Sequence, residues 1–228
     1  MVSLIHAKRD RLRALLTGTD EDEFHDIAVS LLESDDPESV LATLDIVGHS
    51  REQSVRLLPA IVNLLSSSQH VPCTNMENPG LGHQSIALAA MRILLALNLP
   101  LPADPVLKIL NDDASIELPE ACYDQGAYIG DYATFAFLPA AYAARVAWLC
   151  GAQAAASTRR IVELIGLPAA SDVKWAIDGL KAMAEAAKQF PPPAKLAFEE
   201  QLRACATDQH LHNTARAWAQ HLLQELAT

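Results

Sequence analysis

Chemistry in this chain would have to come from a few irregular stretches set among alanine- and leucine-rich runs. The stretch "YDQGAYIGDY", 123–132, holds three of the four tyrosines together with two aspartates and two glycines. Between Lys108 and Arg145 there is no lysine or arginine, yet Asp112, Asp113, Glu117, Glu120, Asp124 and Asp131 all fall in that window. Carboxylates without local counter-charge favour a cationic ligand, and tyrosines add rigid, amphipathic contact area. Tyr123, Asp124, Tyr128, Asp131, Tyr132, Glu117 and Glu120 are therefore the expected binding residues of a loop directed at a basic protein surface. The acids lack EF-hand spacing, so a calcium site is not expected.

Other groups of reactive side chains are sparser. "SSSQHVPCTNMENPGLGHQ", 66–84, contains His70, Cys73 and His83, with Cys122 as a distant fourth ligand. Zinc sites normally show close ligand pairs, and His-x-x-Cys alone is not one, so no metal or cofactor is expected. Asp208 and His212 stand four apart, which on a continuous helix puts them on one face. That pair could act as a general base, but no GxSxG, HExxH, Walker-type loop or Cys–His signature accompanies it. An enzyme with a metal-assisted site drawing on His70 and His83 is the alternative to a binding role.

The elements that must position these residues are helices. Of the 228 residues half are hydrophobic but only 5% aromatic, and Ala and Leu dominate. Leu4, Leu12, Leu15 and Leu16 mark a helix over 3–17 with Gly18 as its stop. Asp20 suits the start of the next, where Ile27, Ala28, Leu31 and Leu32 follow. Asp36-Pro37 opens a helix running to Gly48, and Ser50 caps another with Val55, Leu58, Ile61, Val62 and Leu65 expected inward. Later helices are expected over 82–98, from Asp104-Pro105 onward, and over 131–150, 158–165, 171–190, 194–206 and 208–226. "PPP" at 191–193 reads as a rigid corner. Trp148, Trp175 and Trp218 are expected to fill gaps between helices.

Charge excludes some functions. The net charge is −11, and residues 1–114 carry 16 acidic against 8 basic side chains. Such a surface repels a polyanion, so nucleic acid is not an expected partner. Lys8, Arg9, Arg11 and Arg13 on the first helix read as a solvated face. "QSIALAAMRILLAL" is too short to span a bilayer, and Arg92 interrupts it. The N-terminus has charges through its apolar part, unlike a signal peptide, and the cysteines are scattered. A cytoplasmic, soluble protein with reduced cysteines is expected.

"DDPESVLATL" (35–44) echoes "ADPVLKIL" (103–110), and long helices recur near 50, 82, 131 and 171. With Pro59 and Pro139 inside helical stretches, this spacing resembles HEAT-like or armadillo-like α-solenoids. The resemblance covers residues 36–228 and implies a right-handed α-α superhelix of antiparallel helix pairs; the whole chain, 1–228, is expected to be one all-α domain with irregular loops near 69–81 and 111–130. A globular helical bundle is the alternative. HEAT-like folds include alkylpurine DNA glycosylases, whose basic groove is missing here, and deoxyhypusine hydroxylase, whose His-Glu ligand pairs are absent. The resemblance thus implies a protein-interaction module, whether adaptor, scaffold or immunity-type inhibitor, and the acidic charge and tyrosine-bearing loop point it at a basic protein.

Overall fold

The computed structural model describes residues 2–15, 21–67, 86–111, 139–167 and 170–227, and these are helical with no strand among them. The chain divides into two compact units, Met1–Leu99 and Pro100–Thr228. The expected loop at 69–81 lies outside the described residues, as does that at 111–130 apart from Asn111.

The first unit contains α1 (Val2–Leu15), α2 (Glu21–Leu32), α3 (Pro37–Gly48), α4 (Arg51–Arg56), α5 (Leu58–Asn63) with a 3-10 turn at Leu64–Ser66, and α6 (Ile86–Leu97). Successive helices α1, α2 and α3 pack on one another, and α3 packs on α6. Asp36 has extended backbone, Pro37 is the first helical residue, and the Asp36 carboxylate accepts the Ser39 hydroxyl. Ser50 caps α4 by accepting the Gln53 N–H at 3.4 Å. On α2, Phe24, Ala28, Leu31 and Leu32 are buried at helical spacing. Phe24 is fully enclosed, and burial of a side chain that size stabilises by about 2–3 kcal/mol.

The helix expected from Ser50 is not continuous. Pro59 has no N–H to return to Val55, so the chain breaks at Leu57 into α4 and α5. The buried face keeps helical phase across the break, because the Leu57 N–H still donates to the Gln53 carbonyl and the Ile61 N–H to that of Leu57, each at 3.0 Å. Ser54, Leu57, Ile61 and Leu65 point inward, Leu58 and Val62 are half-buried, and Val55 is 43% exposed rather than buried. Ser54 tolerates burial because its hydroxyl donates to the Val47 carbonyl at 2.9 Å.

Helix α6 is the most apolar, with eight of its twelve residues buried. It ends where Asn98 takes a left-handed φ of 54°, a conformation asparagine adopts more readily than most residues. Arg51 donates to the freed Ala96 and Leu97 carbonyls at 3.2 and 2.9 Å. Cationic donors suit a helix C-terminus, where carbonyls lack partners and the dipole is negative.

The second unit contains α7 (Ala103–Asn111), α8 (Pro139–Val146), a 3-10 run over Ala147–Ser157, α9 (Thr158–Leu164), α10 (Ala170–Ala187), α11 (Pro192–Thr207) and α12 (Asn213–Leu226). Helix α7 starts at Ala103, one residue before the expected Asp104 cap. Helix α8 stops at Val146, not Cys150; the 3-10 run that follows turns at Gly151, whose φ of 62° favours glycine. Pro192 and Pro193 lie in the first turn of α11 with Pro191 as its cap, so the expected corner is also a helix start. The first turn's N–H groups have no intrahelical acceptors, so proline loses nothing there.

Helix α10 meets α8 at very short range. Ala140, Ala141, Ala143 and Ala144 of α8 are buried, and a Cβ placed on Gly179 of α10 would lie 2.1 Å from the Ala144 carbonyl oxygen. Small residues on both helices permit that approach.

Candidate functional site

The seven residues expected to bind, Glu117, Glu120, Tyr123, Asp124, Tyr128, Asp131 and Tyr132, lie outside the described residues. What the structure supplies is their base. Helices α7 and α8, which flank segment 112–138, pack against each other, so the segment leaves one and returns to its neighbour. The end of α7 is held by Arg160, whose Nε donates to the Leu110 carbonyl at 3.1 Å, and by the Asn111 amide, which donates to Leu107 at 2.8 Å. The fourth tyrosine, Tyr142, is buried edge-to-face against Trp175 at 4.8 Å with Arg145 over its ring.

His70, Cys73, His83 and Cys122 also lie outside the described residues. Among the described residues no group of three or more His, Cys, Asp or Glu is placed to hold a metal ion. Cys150 and Cys205 are free and buried, and burial pushes their thiols up to about 12 and about 11. Thiols held that far from ionisation are poor nucleophiles.

Asp208 and His212 do not share a helix face. Asp208 ends α11, and His212 caps α12 after an intervening turn. The Asp208 carboxylate accepts the His210 N–H at 2.9 Å and pairs with Arg159 at 2.7 Å, which together hold its carboxyl below the usual range. His212 Nδ1 accepts the Thr214 N–H at 3.2 Å. Both side chains serve helix ends, and the general-base arrangement is absent.

Two of the first-helix cations are engaged. Lys8 donates to the Ser30 hydroxyl at 2.8 Å, and Arg11 forms a two-pronged pair with Glu23, lowering that carboxyl. Trp148, Trp175 and Trp218 are half-buried, and Trp218 carries Lys181 over its ring at 4.6 Å.

A groove that the sequence reading missed runs between α3 and α6. It encloses about 580 Å³ and is lined by Leu41, Ala42, Gly48, Ala89, Ile93 and Ala96, with Glu38, Asp45, His49 and Arg92 at its edges. Its signal in the sequence was the breadth of apolar residues on α3. Val40, Leu44 and Val47 face the core, while Leu41 and Ala42 remain half-buried on another side.

No family model and no curated protein matches the chain. Among solved structures it is similar to a designed armadillo repeat protein at 16% identity and a TM-score of 0.41, covering 98% of this chain and 93% of that one. It is also similar to an archaeal HEAT-like repeats protein from Thermococcus onnurineus NA1 at 13% identity and a TM-score of 0.36, covering 96% and 97%. Both are helical repeat proteins. Likeness at this level decides nothing about function.

Proposed function

We propose that this chain is a non-enzymatic protein-interaction module that binds a basic protein through segment 112–138. The observation that carries this reading is the composition of the segment, with six carboxylates, three tyrosines and no lysine or arginine. Its two ends join helices packed against each other, which suits a long connection carrying function on a rigid base. Long-range attraction between unlike charges would speed encounter, and the tyrosines would supply the contacts that hold. An immunity-type inhibitor of a basic toxin or nuclease is the form of this role that the charge favours.

The test is affinity capture from the native cell with elution by increasing salt. The expected product is a basic protein released as ionic strength rises, because screening weakens exposed charge contacts. Recovery of only acidic proteins, or of nothing above background, would reject the reading.

A further inference from the structure

The acids of the first unit differ in how they are compensated. On α2, Glu21 and Asp22 meet Arg56 at 2.6 and 3.3 Å, and Glu23 meets Arg11 at 2.5 Å. Arg13 lies 4.0 Å from Asp10, and Arg51 is committed to the α6 carbonyls. On α3, Glu38 meets no cation among the described residues and exposed Asp45 has only His49 at 4.0 Å, while on α2 Asp26 likewise meets none. Glu38 and Asp45 are seven residues apart, two turns or about 10.5 Å along one edge of the α3/α6 groove. Between them and α6 the floor is apolar. Such a groove takes an amphipathic helix laid apolar face down.

We propose that the α3/α6 groove seats an amphipathic, basic helix of a partner protein. Its apolar stripe rests on Leu41, Ala42 and Ile93, and Lys or Arg residues two turns apart face Glu38 and Asp45. Arg92 lies on the α6 side of the groove. This deepens the interaction reading by giving the partner's chemistry at a second surface, and it rests on that reading for the existence of a partner.

The test uses the full chain and two fluorescein-labelled amphipathic peptides of about 14 residues, four turns each, one of leucine and lysine, the other of leucine and glutamate. Anisotropy should show binding of the lysine peptide only. The E38K/D45K double substitution should weaken it at least about tenfold, while D35K/E52K, with the same net charge, should change it by about twofold or less. E38Q/D45N should fall between. All these positions are exposed or at the helix surface, and circular dichroism confirms that helicity is kept. Equal loss in both lysine doubles, binding of the glutamate peptide, absence of binding, or a wild-type dimer dissociated by E38K/D45K would each overturn the proposal. A protein carrying Tyr123→Ser, Asp124→Lys and Tyr128→Ser should keep the peptide affinity, so groove and segment 112–138 fail separately.

Discussion

Gly179→Ala sets two physical effects of opposite sign against each other. By helix propensity alone, alanine inside α10 stabilises by about 1 kcal/mol over glycine. By packing, the new methyl would sit 2.1 Å from the Ala144 carbonyl oxygen, 2.6 Å from its carbon and 2.8 Å from the Arg145 Cα, where real contacts stay beyond 3.0 Å. All three atoms are backbone, so no side chain can rotate away. The helices must separate by about 1 Å, and a gap of that size forfeits a quarter to a half of each dispersion contact it opens. Overpacking of this kind costs about 1–3 kcal/mol, and a backbone clash belongs at or above the top of that range. The net expectation is a loss of about 2 kcal/mol, read as a lower urea midpoint with unchanged slope. A neutral or stabilised Gly179→Ala protein would refute the close approach of α8 and α10.

Gly151→Ala should cost about 1–2 kcal/mol for a different reason, because nothing lies within 4 Å of where the new Cβ would sit but the backbone φ is 62°; no loss in the urea midpoint would contradict that backbone. Asp208 is depressed below its ordinary 3.8 by the His210 N–H and Arg159, so its contribution is present above that value and lost as pH falls through the folded one. Asp208→Asn should therefore melt lower than wild type at neutral pH, with the gap closing in acid; a gap independent of pH would deny the charge a role. For Cys150 and Cys205 the sign reverses. Their raised thiols contribute stability fully below 9.0, lost as pH rises toward about 12 and about 11. In a Cys73→Ser/Cys122→Ser background, iodoacetamide at mildly alkaline pH should label neither until urea is added, and rapid native labelling would show them accessible.

Local chemistry made much of the fold legible in the sequence. Asp36-Pro37 and Ser50 start helices where their capping groups suggest, and Gly48 ends one. The segment from Ser50 to Leu65 shows where this fails. Leu57, Ile61 and Leu65 form one apolar stripe and Val55, Leu58 and Val62 an adjoining one, and which is inside depends on where α2, α3 and α6 pack against α4 and α5. Ser54 lies with the first stripe because Val47 offers an acceptor that spacing cannot reveal. Asp208 and His212 were misplaced for a related reason. Their spacing is helical, but Asp208 binds the His210 N–H and ends α11 instead of opening the next helix, which starts at Asn213. The breadth of apolar residues on α3 hints at a second face, but the α3/α6 groove also depends on where a distant helix packs, which no local pattern records.

The central claim is that the tyrosines and acids of segment 112–138 make the contact with a basic protein. Its most direct measurement is calorimetric titration of the captured protein into wild type and into the Tyr123→Ser/Asp124→Lys/Tyr128→Ser protein, at low and high salt. Wild type should bind with an affinity that falls as salt rises, and the triple variant should lose at least about 3 kcal/mol of binding with an unchanged melting temperature. Equal affinity for the two proteins would contradict the account.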